Sequence, residues 1–193
     1  MGRPREFDVD DALETALQLF WRKGYEGTSL SDLTEAMGIT RPSLYSAFGN
    51  KETLYRKALE RYSVDRLCIA AAALAEPTSR AVVEKLLLGL CDVATDPHYP
   101  GGCMAMNSTL ACGEEAETIR HEQIAQRKEL EAALAARLEV CKAEGDLPAG
   151  SSPADLARYV MTVFQGLAVQ AGSGAGRDEL RAVVAMALRT WPG

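Results

Sequence analysis

The amino-acid sequence predicts an all-α protein, with an N-terminal three-helix helix-turn-helix domain followed by a longer C-terminal helical domain. Apolar residues recur every three or four positions through most of the chain, which is the period of an amphipathic helix. Glycine and proline separate these stretches, and no segment alternates apolar and polar residues as a half-buried strand does. The 193 residues are enough to bury a sizeable core.

The first two helices are marked by their apolar faces and by the glycines that end them. Residues 8–23 form an amphipathic pattern that stops at Gly24, and a second pattern stops at Gly38. Glycine supplies the backbone freedom that a tight turn requires. The inward positions are Val9, Leu13, Ala16, Leu17 and Phe20 in the first helix and Leu30, Leu33 and Met37 in the second.

A third helix is expected directly after the turn, with Thr40 at its N-cap and Pro42 in its first turn. Leu44 and Phe48 are four residues apart and therefore point inward together. The opposite face is small, polar and positive, which suits a helix lying in a major groove about 12 Å wide. The pattern predicts a helix that reads DNA. The alternative is a purely structural helix-turn-helix whose aromatic side chains, Tyr45 included, belong to the core.

The flanking residues add to the predicted DNA surface. Residues 38–51 contain two basic side chains and no acidic one, and Asn50 is placed to cap a fourth helix whose N-terminus and Lys51 face a phosphate. The Gly-Arg-Pro segment near the start is either a cationic arm for the minor groove or a solvated tail. The candidate DNA-binding residues are Arg3, Arg5, Thr28, Ser29, Thr40, Arg41, Pro42, Ser43, Tyr45, Ser46 and Lys51.

Residues 24–59, GYEGTSLSDLTEAMGITRPSLYSAFGNKETLYRKAL, resemble the N-terminal domain of the TetR family of bacterial transcriptional regulators. The shared features are a Gly-Tyr turn, a Thr/Ser cap, a Gly-Ile turn and an LYxxF recognition helix followed by Lys-Glu. The resemblance covers about residues 8–60 and is only architectural beyond residue 62. It implies a homodimeric regulator of double-stranded DNA, by family habit a repressor, which a small molecule releases from a palindromic operator.

We therefore divide the chain into a DNA-binding domain over residues 1–50 with an arm over 1–7, a linking helix over 51–75, and an effector-binding and dimerisation domain over 76–193. The net charge of −6 is unusual for a nucleic-acid binder. Residues 1–62 carry nine basic and ten acidic side chains and therefore have a net charge of −1. Most of the negative charge thus lies in the rest of the chain. Phosphate contacts must then come from a few local charges, and non-specific affinity should be modest.

Several protein classes are disfavoured by the sequence. The start of the chain lacks the apolar core of a signal peptide, and no apolar run approaches the roughly 20 residues that span a bilayer, so we expect a cytoplasmic protein. The cysteines and histidines show neither zinc spacing nor a disulfide framework, so no metal or cofactor is expected. No phosphate loop, nucleophile elbow or catalytic triad pattern indicates an enzyme.

The last two helices carry broad apolar stripes, which we interpret as a subunit interface that forms a four-helix bundle about a two-fold axis. The alternative is that both stripes pack inside one subunit. A two-fold dimer suits a palindromic operator, because each recognition helix then meets one half-site. The predicted interface residues are Leu156, Val160, Val163, Phe164, Leu167, Val184, Leu188 and Trp191.

The segment 99–112, YPGGCMAMNSTLAC, is the best candidate for an effector pocket, because it combines adaptable methionines with isolated polar groups. The bland alternative is a methionine-filled core. The predicted pocket residues are Leu86, Leu90, Cys103, Met104, Met106, Asn107, Leu110, Phe164 and Gln165.

Cys103 raises a different possibility for the signal. It follows two glycines at a predicted helix N-terminus, where the helix dipole favours a thiolate. A repressor that senses oxidants or electrophiles through this thiol is therefore one alternative, although free cysteine is commonly a small buried hydrophobe. An architectural DNA-binding protein without an effector is a second alternative, which the long chain beyond the reading domain disfavours.

Overall fold

The computed structural model describes residues 7–106 and 117–193, apart from the side chain at position 65. Its regular structure is helical throughout, with no strand in those two ranges, so the all-α prediction is confirmed. The helices are α1 (Val9–Lys23), α2 (Leu30–Met37), α3 (Arg41–Phe48), α4 (Lys51–Leu74), α5 (Ser79–Ala94), α6 (Glu117–Ala143), α7 (Pro153–Gly172) and α8 (Arg177–Arg189). Within the described ranges, none of these helices offers a stretch apolar enough to cross a lipid bilayer.

Side-chain caps explain where the N-terminal helices begin. Asp8 accepts from two backbone N–H groups at the start of α1, and Thr40 and Asn50 each accept from the N–H three residues on, at the starts of α3 and α4. Ser29 and Asp32 form a reciprocal capping box on α2. Gly38, with φ of 65°, closes α2 in the left-handed region and forms the tight turn that the sequence predicts.

The N-terminal core joins α1, α2, α3 and the first half of α4. Leu33, Leu44 and Phe48 are buried, which confirms the predicted inward faces of α2 and α3. Phe20 from α1 meets Tyr55 from α4 edge to face, with ring centroids 4.8 Å apart. The recognition helix α3 contacts both α2 and α4.

The C-terminal domain packs around α5. Val82, Val83, Leu86, Leu87 and Leu90 of α5 are buried, and α5 contacts α4, α7 and α8. α6 packs along α7, and it buries Leu134, Leu138 and Cys141.

The structure corrects the predicted subunit interface. Five of the eight residues, Val160, Leu167, Val184, Leu188 and Trp191, are buried within the subunit, and the other three pack partly against its core. The reason is that α5 covers this face: the Trp191 indole donates to the Ser79 hydroxyl, and Arg80 donates to the Leu188 carbonyl oxygen at 2.8 Å. The apolar side chains that remain exposed on α7 and α8 are Tyr159, Val169, Val183 and Met186.

Leu44 and Tyr45 provide a matched test of the N-terminal core. Leu44 is fully buried, so Leu44→Ala should lower the free energy of unfolding by about 2–5 kcal/mol through lost burial and a cavity. Tyr45 is 49% exposed, so Tyr45→Ala should change it by no more than about 0.5 kcal/mol. Urea denaturation of both variants measures the difference, and equal effects would contradict this packing.

Candidate DNA interface and α4 cavity

The exposed face of α3 carries most of the predicted DNA contacts. Arg41, Pro42, Tyr45 and Ser46 are solvent-exposed, while Leu44 and Phe48 anchor the opposite face. A helix held in this way presents small polar groups and one aromatic ring at a depth that a major groove accommodates.

A hydrogen bond joins the N-terminal end of α3 to α2, and a second one lies within the start of α3. Arg41 Nη2 donates to Ser31 Oγ at 2.8 Å, and the Thr40 and Ser43 hydroxyls are 2.9 Å apart. Arg41 thus contacts a neutral hydroxyl and keeps its positive charge at the surface. Ser31 was not predicted from the sequence, because its contact joins two helices whose relative position only the fold determines.

Two other predicted contacts, Ser29 and Lys51, lie at the N-terminal ends of α2 and α4. Ser29 caps α2, where hydrogen bonds from Lys23 and Ser29 lower the pKa of Asp32 and keep that carboxylate charged. Lys51 is in the first turn of α4, and its Nζ lies 4.2 Å from the centroid of the Tyr25 ring.

Thr28 is a correction to the predicted DNA surface. Its side chain is fully buried, and its hydroxyl donates to the Gly24 carbonyl oxygen at 2.7 Å. This bond closes the turn between α1 and α2, so the residue has a structural role. Arg3 and Arg5 lie outside the described residues.

A cavity of about 530 Å³ lies between α4, α5, α6 and α7, and we call it the α4 cavity. Apolar side chains from all four helices form most of its wall, including Leu74, Leu86, Leu90, Leu130 and Phe164. Such a volume and such a lining are typical of a site for a small organic ligand.

Part of the predicted pocket lines the α4 cavity. Leu86, Leu90, Cys103, Met106 and Phe164 contribute to its wall. The loop that carries Cys103 lies against α7 because Gly102 has φ of 84° and approaches Gly172, where an added Cβ would be 2.9 Å from the Gly172 Cα.

Two predicted pocket residues do not line the α4 cavity. Met104 is buried in the core instead, where its backbone N–H donates to the Tyr62 hydroxyl at 2.9 Å. Gln165 is not one of the residues that line the cavity. Asn107 and Leu110 lie outside the described residues.

The sequence analysis missed the wall contributed by α4 and α6. Tyr62, Arg66, Ala70 and Leu74 are spaced four residues apart on α4, and all of them line the cavity. That spacing was a usable signal for a shared helix face. The polar groups on the α6 side, Gln123, Gln126 and Arg127, gave no such signal because α6 is charged along most of its length.

An aromatic cluster connects the α4 cavity to α1. Trp21 meets Tyr62 edge to face at 4.8 Å and stacks on Tyr99 at 5.6 Å. The Arg66 guanidinium lies over the Tyr62 ring, 3.4 Å from its centroid. Burial is the main reason why the pKa of Tyr62 is raised, so its hydroxyl stays protonated.

In the described part of the chain, no group of histidine, cysteine or acidic side chains is arranged to hold a metal ion. The four cysteines described there are free thiols, and Cys103 is only 6% exposed.

Comparison with known proteins decides the family. The model for bacterial regulatory proteins of the tetR family matches residues 12–58, which contain the helix-turn-helix. A model for the tetracyclin repressor-like C-terminal domain matches residues 80–173. The chain belongs to the TetR family. It is therefore a DNA-binding transcriptional regulator, and the resemblance drawn from residues 24–59 is confirmed.

Individual TetR-family proteins match nearly the whole chain. The HTH-type transcriptional repressor ComR of Escherichia coli is 34% identical over 99% of this chain and 92% of its own length. The repressor BdcR, from the same organism, is 28% identical over 96% of this chain and 90% of its own. A cysteine mutant of the regulator CifR, solved with 26-base-pair operator DNA, is 41% identical, with a TM-score of 0.90 over 98% of this chain and all of its own.

The exposed face of α3 should account for operator recognition. Tyr45→Ala and Arg41→Ala should each weaken operator binding by about 1–3 kcal/mol per half-site, because they remove base or phosphate contacts and leave the core intact. Fluorescence anisotropy with labelled operator measures the loss. Arg189→Ala, an exposed arginine at the end of α8, is the matched control and should bind as wild type does. Unchanged affinity in both α3 variants would show that another face reads DNA.

Proposed function

We propose that this TetR-family regulator is a homodimeric repressor that binds a palindromic operator and is released from it by a small molecule in the α4 cavity. The main support for this proposal is that α4 belongs both to the DNA-reading domain and to the wall of the α4 cavity. Its first half contacts the recognition helix and buries Leu54, Tyr55 and Ala58 in the reading domain, and its second half forms a cavity wall. A ligand that displaces this wall therefore acts on the recognition helix through α4.

The relatives support the same function. ComR and BdcR are described as transcriptional repressors, and CifR was solved on operator DNA. The effector is expected to be a largely apolar molecule that fits about 530 Å³. It must bind the released state more tightly than the operator-bound state, because a ligand shifts an equilibrium only by its differential affinity.

The exposed face of α7 and α8 is the proposed subunit interface. Tyr159, Val169, Val183 and Met186 are large apolar side chains in solvent, and they lie on the faces of these helices that α5 does not cover. A two-fold partner would pair this face with itself and form a four-helix bundle. The two recognition helices then address two half-sites.

Val183→Asp should break this dimer, because it would place an unpaired carboxylate in an apolar interface. The variant should sediment as a folded monomer and lose high affinity for a palindromic operator. Val140→Asp on α6 is the matched control, because Val140 is 48% exposed and Val183 47%. Sedimentation velocity that finds a dimer in the Val183 variant would place the interface elsewhere.

Filling the α4 cavity should uncouple DNA binding from the effector. Ala70 lines the cavity on α4, so Ala70→Phe should remove ligand binding while the operator is still bound. Thermal-shift hits from a library of small apolar compounds provide the ligands, and anisotropy measures operator release. Ala136→Phe, at an exposed position on α6, is the control. If the same compounds fully release the Ala70→Phe variant from the operator, this cavity is not the effector site.

The same assay tests the thiol-sensing alternative. Cys103 lines the cavity, and this position favours it as a sensor. The backbone next to it is fixed, because the Met104 N–H donates to the Tyr62 hydroxyl. If the effector binds without forming a covalent bond, it should release the Cys103→Ser variant from the operator as it releases the wild type. A Cys103→Ser protein that no longer responds to an oxidant that releases wild type would support thiol sensing. If no compound or oxidant releases the wild type, the architectural alternative is favoured.

A further inference from the structure

Arg66 lies where the α4 cavity meets the DNA-reading domain. Its guanidinium carbon is 3.4 Å from the Tyr62 ring centroid and 5.2 Å from that of Trp21. Tyr62 is one turn earlier on α4, whereas Trp21 belongs to α1. Arg66 and Tyr62 both line the cavity. One charged side chain therefore contacts the cavity and a helix of the reading domain.

One edge of this guanidinium has no acceptor. Nη1 donates to the Tyr62 carbonyl oxygen at 3.2 Å. Nε and Nη2 are buried, and neither has a hydrogen-bond partner in the part of the chain that the structure describes. Buried donors of a charged group are costly when they lack acceptors, so this edge has the chemistry to accept an anionic partner.

The free edge matches a carboxylate in shape. The Nε–H and one Nη2–H of arginine are parallel and bind the two oxygens of a carboxylate together. Arg56, on the same helix, shows this pairing: its Nε and Nη2 donate to the two oxygens of Glu122 at 3.1 and 3.0 Å. Arg66 has the same edge available and no such partner.

The rest of the cavity wall agrees with an anionic ligand. Arg127 adds a second positive charge, and Gln123 and Gln126 add amide groups. Glu129 is the acidic side chain in the described wall, and it is solvent-exposed on α6. The other wall residues are mostly apolar, so the cavity fits a molecule with an apolar body and one charged end.

We propose that the effector is a small apolar carboxylic acid whose carboxylate pairs with the Nε/Nη2 edge of Arg66. This inference rests on the proposed function, because it specifies the molecule that causes release. The apolar body lies against Leu86, Leu90 and Phe164, and the carboxylate lies at the α4 end of the cavity.

The pairing also supplies a route to the reading domain. While the guanidinium lies between Tyr62 and Trp21, its free edge is closed to solvent. A carboxylate in the cavity therefore draws the head group off the two rings. Trp21 on α1 then loses its cationic neighbour, and the packing of α1 against α4 changes. The acid binds this second arrangement preferentially, which gives the differential affinity that release requires.

The first test compares acids with their neutral amides on wild-type dimer. The probes are octanoate, benzoate and cinnamate with the corresponding amides, measured by calorimetry and by operator release. We expect at least one acid to bind and to release the operator at a concentration about tenfold lower than its amide, a difference of about 1.4 kcal/mol. Amides that act as well as acids, or acids that neither bind nor release, would overturn the inference.

The second test assigns the contact to Arg66. Arg66→Gln should weaken binding of the active acid at least tenfold and leave its amide unaffected, whereas Arg66→Lys should retain part of the acid's affinity. Arg127→Gln, the other cavity arginine, is the matched control and should lose less. In a Trp191→Phe background, Trp21 is the remaining tryptophan, and acid binding should change its fluorescence. An Arg66→Gln protein with wild-type affinity for the acid, or unchanged Trp21 fluorescence, would contradict the proposal.

These outcomes separate the two claims. If amides release the operator as readily as acids and Ala70→Phe blocks both, the repressor function stands and the carboxylate inference fails. If the acids bind with the expected dependence on Arg66 but never release the operator, the ligand class stands and the proposed function fails.

Discussion

The continuity of α4 is the constraint on which the rest of the structure depends. Its first turns bury Leu54, Tyr55 and Ala58 in the reading domain, and its later turns present Tyr62, Arg66 and Ala70 to the α4 cavity. α4 is one unbroken helix of 24 residues, so we expect displacement of its cavity-lining turns to move its first turns as well. The proposed coupling between the cavity and the recognition helix rests on this continuity.

Charge distribution explains how an acidic chain presents a DNA surface. Several basic side chains of the reading domain are neutralised locally: Lys23 pairs with Asp32, and Arg61 pairs with Asp10 and Glu14. Arg41, in contrast, contacts the Ser31 hydroxyl and retains its charge at the exposed face of α3. Recognition then depends on a few placed groups rather than on a broad basic patch, and binding should be correspondingly selective.

Local signals in the sequence predicted the helices well, and they separated the buried side of α3 from its exposed side. Thr40, Asn50 and Gly38 act through neighbours a few residues away, so their roles as caps and turn could be inferred without the fold. The apolar stripes of α7 and α8 were a different case. Periodicity identified Val160 and Leu188 as buried, but it does not state which element covers them, and α5 does so within the subunit.

Only part of the cavity wall was predicted, because the sequence does not state which helices face each other. Cys103 and Phe164 were identified from composition, whereas Arg66 required knowledge that α4 turns this face toward α6 and α7. Thr28 was wrongly predicted to contact DNA. Its hydroxyl donates a hydrogen bond to the Gly24 carbonyl oxygen, and the sequence alone does not reveal this bond. Contacts between distant segments are what the sequence alone does not provide.

The central claim is that occupancy of the α4 cavity changes the separation of the two recognition helices. Pulsed electron paramagnetic resonance on a dimer with a spin label at position 46, on the exposed face of α3, measures that separation directly. With operator bound, it should match half-sites about 34–36 Å apart, one helical turn of DNA. A compound that releases the operator should shift the distance distribution away from this value in the wild type and not in the Ala70→Phe variant. An identical distribution with and without the releasing compound would contradict the account.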